Sequence, residues 1–239
     1  MPGGSRRYQD GCRAAAGTMG GVATDWTAVI PVQRLSAAKS RLRGAVPAAR
    51  HQDLALAMMR DTVVAVLATP GVTELLVVTD DQVAAEAAAA LGARTEPDRP
   101  DAGLNDALRH GADELAGLGR NRAALAGDLP ALRPAELESA LAASAGRSFV
   151  PDVAGTGTVL LTAPAGVPLG PLFGVGSAAA HAASGARRLT GDWPGLRQDV
   201  DTAADLRTML DLGPGAHTCR LLRELGLIGE CRSPEVPAA

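Results

Sequence analysis

The sequence predicts an α/β fold with a mostly parallel sheet and helices on both faces. Short apolar runs alternate with longer stretches of helical spacing, in the order β-α-β-α-β-α-β-α over residues 27–144. The 239 residues, 46% of them hydrophobic, are enough to bury one core of ordinary size. Aromatic residues make up only 2% of the chain, so Ala, Val and Leu must fill that core.

Four apolar runs in the first part of the chain predict strands, at residues 27–32, 74–79, 93–96 and 122–126. Helices are predicted at residues 47–69, 82–91, 104–118 and 134–144. Right-handed crossovers place the residues that follow parallel strands on one edge of the sheet, where such folds bind ligands. Residues that carry chemistry are therefore expected at the strand ends.

The rest of the chain is less regular. Short strands are predicted at 149–152, 158–163 and 198–202, followed by a helix over 203–225 that is interrupted near residues 213–215. Residues 1–24 are predicted to be a disordered extension, in which Met19 is a second candidate start, and residues 230–239 a flexible tail. The predicted domain is then 25–229.

Composition and charge exclude several classes of protein. The net charge of −3 and the lack of a broad basic face exclude bulk nucleic-acid binding. No segment approaches the roughly 20 apolar residues that span a bilayer. Three scattered cysteines fit neither a disulfide framework nor a zinc site, so a cytoplasmic location is expected. The oligomeric state stays open, with a homodimer as one option.

Carboxylates near predicted strand ends are the first candidates for chemistry. Asp128 follows the fourth strand, and Asp199 and Asp201 alternate with Val200 in a predicted strand. Residues i and i+2 of a strand share a face, and two adjacent carboxylates repel each other unless a cation lies between them. Mg²⁺ prefers such ligands, usually together with substrate phosphates. A turn cap at Asp128 and a solvated acidic surface are the alternatives.

A cationic segment follows the first strand and contains Gln33, Arg34, Lys39 and Arg41. Such donors could stabilise the charge that develops on a leaving pyrophosphate. An ordinary basic loop is an equally good interpretation of this segment alone.

Two glycine-rich segments could bind an anion. Gly174 to Ser177 leads into an Ala-rich helix, and free N–H groups at a helix start bind phosphate or carboxylate. Thr158 ends the segment Gly155-Thr156-Gly157-Thr158, which is either a tight turn or a polar ligand loop. A turn with a Ser cap would also explain the first segment.

Two further polar residues lie at the predicted ligand edge or near it. Asp80 follows the second strand, and Asn105 opens a helix. The Asn105 amide offers a donor and an acceptor, as a purine edge requires, although helix capping would also explain an Asn at this position.

Seven motifs together resemble one known family. They are IPVQRLSAAKSRL, LLVVTDD, GLNDAL, AGDLPAL, GTGTVLL, FGVGSAAAH and DVDTAADL, in the family's order from about residue 25 to residue 225. This set resembles the 2-phospho-L-lactate guanylyltransferases and the related phosphoenolpyruvate guanylyltransferases of coenzyme F-420 biosynthesis. The resemblance implies a single-domain, Rossmann-like nucleotidyltransferase fold of the nucleotide-diphospho-sugar transferase type. It also implies transfer of GMP from GTP to phosphoenolpyruvate or 2-phospho-L-lactate, with release of pyrophosphate.

The resemblance further implies roles for individual residues. Asp128, Asp199 and Asp201 would bind Mg²⁺. Thr158, Gly174 and Ser177 would hold the acceptor substrate. Lys39 would contact the triphosphate and Asn105 the guanine. From their positions after the first two strands, Gln33, Arg34 and Asp80 are also expected to bind the nucleotide, and Lys39, Arg41 and Asp128 are expected to act in catalysis.

One position departs from the family pattern, because Gln33 stands where the family commonly has Lys and supplies no charge. The sequence is also compatible with two functions other than guanylyl transfer. One is a metal-dependent glycosyltransferase, with Asp199-Val200-Asp201 as its D-x-D motif. The other is a non-catalytic GTP-binding module.

Overall fold

The structure is a computed structural model that describes residues 25–37, 42, 44–98 and 103–230. The predicted extension at 1–24, nearly all of the predicted tail, Lys39 and Arg41 lie outside the described residues. Within the described part, the elements alternate between strand and helix as the sequence predicts.

The sheet contains seven strands in the order β3-β2-β1-β4-β6-β5-β7. Pairing is parallel among β1 to β4 and between β5 and β7, whereas β6 is antiparallel to both β4 and β5. The prediction of a mostly parallel sheet is confirmed. The strands are β1 Trp26–Pro31, β2 Val72–Val78, β3 Arg94–Glu96, β4 Asn121–Leu125, β5 Ser148–Pro151, β6 Thr158–Ala163 and β7 Arg187–Arg188.

The helices of the described part lie on both faces of the sheet. They are α1 His51–Leu67, α2 Gln82–Ala90, α3 Leu104–Arg109, α4 Pro134–Ala142, α5 Ser177–Ala183, α6 Pro194–Arg197, α7 Ala203–Leu212 and α8 Ala216–Glu224. Helix α3 continues into a π-helical turn, His110–Leu115. Short 3₁₀ turns occupy Leu35–Ala37 and Ala48–Arg50.

Alternation along the central strand β1 creates two cores. Ala28 and Ile30 pack into the cluster that contains Val63 of α1, whereas Val29 packs with Leu108 of α3 on the opposite face. Because successive side chains of a strand point to opposite faces, one fully buried strand serves both layers.

The predicted strand at 198–202 is not formed. Thr202 instead caps α7, since its hydroxyl accepts the N–H of Asp205 while the Asp205 carboxylate accepts the N–H of Thr202. The same carboxylate accepts the N–H of Asp201. These backbone donors are therefore bound by a side chain and not by a neighbouring strand. The two-residue strand β7 was not predicted, because a pair of residues is too short to show a periodic pattern.

The cysteine prediction was wrong for one residue. Cys219 on α8 is disulfide-bonded. Spacing along the chain does not determine which cysteines meet in space, so sequence alone could not show this. None of the helices within the described residues is long and apolar enough to cross a membrane.

The Asp61 carboxylate on α1 anchors the start of α8. Asp61 is buried and accepts the backbone N–H groups of His217 at 2.9 Å and Thr218 at 2.8 Å. Burial raises the pKa of Asp61, and these hydrogen bonds oppose that rise. A Cβ at Gly215 would overlap the carboxylate, so only glycine allows this close approach.

We predict that Asp61→Ala lowers the free energy of unfolding by about 1–3 kcal/mol, because two N–H groups at the helix start lose their acceptor. Asp61→Asn keeps one acceptor oxygen and serves as the control, with a smaller loss expected. Urea denaturation of both variants measures the difference. Wild-type stability in Asp61→Ala would contradict the anchoring role.

Candidate active site

A cavity of about 880 Å³ opens at the sheet edge where β1, β4 and β5 end and β6 begins. Thr158, the first residue of β6, reaches this edge because β6 runs antiparallel to β4, with Leu125 opposite Leu160. Leu35 and, from α1, Met59 line an apolar part of the cavity. The strand-end position matches the location that the sequence predicted for ligand binding.

Four carboxylates line the cavity. Asp128 follows β4, Asp152 follows β5, and Asp199 and Asp201 lie in the loop before α7. Burial of Asp199 and the negative charges of Asp128, Asp201 and Asp152 raise the pKa of Asp199 to about 7. The four groups therefore interact electrostatically, and the cluster favours a bound cation.

The loop geometry replaces the predicted strand in orienting Asp199 and Asp201. Val200 is fully buried in the cluster formed with α1, α7 and α8, whereas Asp199 is half-buried and Asp201 exposed. Both aspartates line the cavity. Their shared side thus follows from the anchoring of Val200 in the core and not from pairing in a sheet.

The carboxylates of the cavity fit a divalent cation whose remaining ligands are phosphate oxygens of the substrate. Across the described ranges, no group of three or more His, Cys, Asp and Glu side chains is arranged to hold a metal ion on protein ligands alone. Mg²⁺ typically binds one or two carboxylates together with phosphate oxygens, so an open site of this kind suits it. No Lys or Arg among the described residues lines the cavity.

Asp152 was not predicted as a site residue. Its carboxylate accepts the N–H groups of Thr156 and Gly157, both at 2.9 Å, and closes the turn between β5 and β6. A Cβ at 157 would overlap the carboxylate, so the turn requires glycine there. The available signal was the position of Asp152 at the end of a predicted strand, 149–152.

The predicted acceptor residues Thr158, Gly174 and Ser177 form one wall of the cavity. Ser177 is the first residue of α5, and its N–H donates to the Gly174 carbonyl at 3.1 Å. The N–H of Ala178 donates to the Thr156 carbonyl, also at 3.1 Å. This bond fixes the two glycine-rich segments against each other.

Among the remaining predicted residues that the structure describes, Gln33 also lines the cavity. Arg34 is exposed to solvent and does not line the cavity. Asp80 accepts the N–H of Asp98 at 3.0 Å. The Asn105 amide makes two hydrogen bonds with the backbone of Phe173, at 3.0 and 2.7 Å. These bonds hold in place the loop that contains Phe173, which lines the cavity. Lys39 and Arg41 fall outside the described ranges.

Comparisons with proteins of known sequence point to one family. A family profile described as "Guanylyl transferase CofC like" matches residues 26–235. The chain is 60% identical to the phosphoenolpyruvate guanylyltransferase of Salinispora arenicola, over 82% of this chain and 92% of that protein. It is 56% identical to the phosphoenolpyruvate guanylyltransferase of Geodermatophilus obscurus, over 82% and 94%.

Solved structures show the same fold at low sequence identity. A proposed nucleotide-diphospho-sugar transferase from Desulfovibrio desulfuricans G20 superposes with a TM-score of 0.62 at 17% identity, covering 83% of this chain and 94% of that one. A CMP:2-keto-3-deoxy-manno-octonic acid synthetase complexed with CTP gives 0.53 at 17% identity, covering 84% and 100%. The predicted nucleotidyltransferase fold is confirmed.

The extent of the profile match and the identity to these relatives agree with the motifs found in the sequence. The chain is a nucleotidyltransferase that belongs to the CofC-like guanylyl transferase family.

Proposed function

We propose that this enzyme transfers GMP from GTP to phosphoenolpyruvate and releases pyrophosphate, as a step in coenzyme F-420 biosynthesis. The observation that carries the proposal is the cavity itself, which combines a carboxylate cluster with a wall of small polar residues. Relatives named phosphoenolpyruvate guanylyltransferase, at 45–60% identity, favour phosphoenolpyruvate over 2-phospho-L-lactate as the acceptor.

The reaction requires little acid–base chemistry from the protein. A phosphate oxygen of the acceptor attacks the α-phosphorus of GTP, and the bond from that phosphorus to the bridging oxygen breaks as pyrophosphate leaves. Because the attacking oxygen is already anionic, no general base is needed. Holding two anions close together in line is the main task of the site.

Thr158, Gly174 and Ser177 would hold the phosphate and carboxylate of the acceptor through hydroxyl and backbone N–H donors. Asp128, Asp199 and Asp201 would hold Mg²⁺, which supplies charge neutralisation for the phosphates when bound. Without a cation, the carboxylates would repel the triphosphate. A bound Mg²⁺ between the two groups of negative charge would remove that repulsion.

The nucleotide side of the proposal rests on the segment after β1. Gln33 lines the cavity and can donate to a phosphate oxygen through its amide. Arg34, Lys39 and Arg41 are proposed to contribute positive charge toward the triphosphate and the leaving pyrophosphate. Asp80 and Asn105 are proposed to act on the nucleotide through the loops that they brace.

We predict pyrophosphate release from GTP and Mg²⁺ when phosphoenolpyruvate is supplied, and none without an acceptor. Parallel reactions with 2-phospho-L-lactate, and with ATP, CTP or UTP as donor, test both specificities, and mass spectrometry identifies the guanylylated product. Release only with 2-phospho-L-lactate would reassign the acceptor. GTP binding without release would favour a non-catalytic module, and sugar transfer from a nucleotide sugar would favour a glycosyltransferase.

Asp128→Asn should lower kcat by roughly 100-fold or more, because a neutral amide is a poor ligand for a cation that must offset phosphate charge. Asp211→Asn, an exposed change on α7, is the matched control and should leave kcat unchanged. Steady-state rates and thermal unfolding of both variants separate a chemical loss from a folding defect. A normal kcat in Asp128→Asn would refute the assigned role.

Removal of divalent cations with excess EDTA should abolish turnover, and added Mg²⁺ should restore it. Calorimetric titration should also show weaker GTP binding without the cation, because the carboxylate cluster then repels the triphosphate. Turnover that persists in excess chelator would show that the cluster has another role.

A further inference from the structure

His181 lies in the core directly behind the proposed acceptor wall. Its side chain, on α5, is completely buried. One ring nitrogen, Nδ1, is 2.9 Å from the Thr158 hydroxyl, and the other, Nε2, accepts the backbone N–H of Leu172 at 2.9 Å. The ring also packs against Phe149 and Phe173, with centroids 5.9 and 5.2 Å away. Both polar atoms of the imidazole are therefore engaged.

These two contacts determine which nitrogen carries the proton. A backbone N–H can only donate, so Nε2 of His181 must present its lone pair to Leu172. A neutral imidazole in this arrangement carries its proton on Nδ1 and donates it to Thr158. Burial, with a smaller contribution from the positive charge of Arg147, lowers the pKa of His181 to about 4, so the neutral form prevails near pH 7.

The direction of this bond controls what Thr158 can do in the cavity. A threonine hydroxyl can donate one hydrogen bond and accept others. Since Thr158 accepts from His181, its own proton remains for another partner, and the described residues provide no acceptor for it. Thr158 lines the cavity, so the proton is available to a ligand there.

We propose that His181 is a positioning residue that makes Thr158 a hydrogen-bond donor to an anionic oxygen of the acceptor substrate. Phosphate and carboxylate oxygens only accept, so a fixed donor matches them. The bond from Leu172 to Nε2 also ties down the residue before Phe173 and Gly174, and thus the other part of the same wall. This inference rests on the proposed function, because it assumes that Thr158 faces the acceptor.

The protonation pattern can be measured without any enzymatic assay. We expect long-range ¹H–¹⁵N spectra of the full chain labelled with ¹⁵N-histidine to show His181 with a protonated Nδ1 and an unprotonated Nε2. His181→Asn identifies its signals among those of the four histidines. A proton on Nε2 would overturn the inference, whatever the kinetics show.

Kinetics of three single variants and one double variant test the link to Thr158. His181→Phe keeps a ring but loses both hydrogen bonds, so the KM for phosphoenolpyruvate should rise about 10- to 100-fold while the KM for GTP stays unchanged. His181→Asn keeps an N–H donor near Thr158 and should recover much of this loss. Thr158→Val should match His181→Phe, and the double variant should be no worse than either single variant.

The outcomes separate this inference from the proposed function. An equal rise in both KM values, or additive losses in the double variant, would overturn the role of His181 and leave guanylyl transfer intact. A wild-type enzyme that does not transfer GMP to either acceptor would overturn the proposed function and this inference with it. Thermal unfolding of each variant identifies any loss of fold, and the protonation pattern itself is read from the wild-type protein.

Discussion

The site depends on the direction of one strand. Because β6 runs antiparallel to β4, with Arg122 opposite Ala163 and Leu125 opposite Leu160, the beginning of β6 meets the end of β4. A parallel β6 would place Thr158 about 20 Å away, at the far edge, given the rise of a six-residue strand. The reversal in β6 also makes the β5–β6 turn, with Asp152, part of the ligand edge. The positions of Asp152 in the acidic cluster and of Thr158 in the acceptor wall follow from this topology.

Two arginines, the buried Arg122 and the half-buried Arg147, shape the connection that leads from β6 to the wall. Arg122 is fully buried and donates to the carbonyls of Pro164 and Val167, and Arg147 donates to those of Leu169 and Gly170. Burial lowers the pKa of both guanidinium groups, which reflects the cost of removing a charge from water.

Carbonyl hydrogen bonds offset that cost and hold the connection in one conformation, and Asp113 pairs with Arg122. The loop with Phe173 and Gly174 is then fastened at several points, by Arg147 upstream, by Asn105 at Phe173 and by His181 at Leu172. A site of this kind is shaped before a ligand arrives, so little binding energy is needed to order the wall.

Sequence patterns predicted the parts of the molecule that obey local rules. The parallel strands are visible in the sequence as apolar runs. Because Asp128 closely follows one of these runs, its position at the ligand edge could be predicted. The sequence predicted that Asp199 and Asp201 share a side because they alternate in a strand, but this strand is not formed. They face the cavity because Val200 packs into a helical core, not because the segment joins the sheet.

Contacts between residues far apart in the sequence could not be predicted. His181 meets a residue 23 positions earlier, and Asn105 meets Phe173 across 68 positions. Neither spacing has a periodic signature, since such contacts depend on how loops cross after the sheet has formed. Asp152 stood at a predictable strand end, but its neighbours Thr156 and Gly157 gave it an equally plain explanation as a turn residue.

The Asp61 anchor also affects how the chain reaches its final state. The carboxylate on α1 meets its backbone donors across 156 and 157 residues, so the bond forms only after almost the entire polypeptide has left the ribosome. Contacts this distant in sequence raise the contact order and slow folding. Until α8 is in place, the Asp61 carboxylate lies on a surface of α1 that α8 covers in the folded protein. A nascent or prematurely terminated chain therefore presents an uncovered side of α1, a surface that chaperones and proteases can recognise.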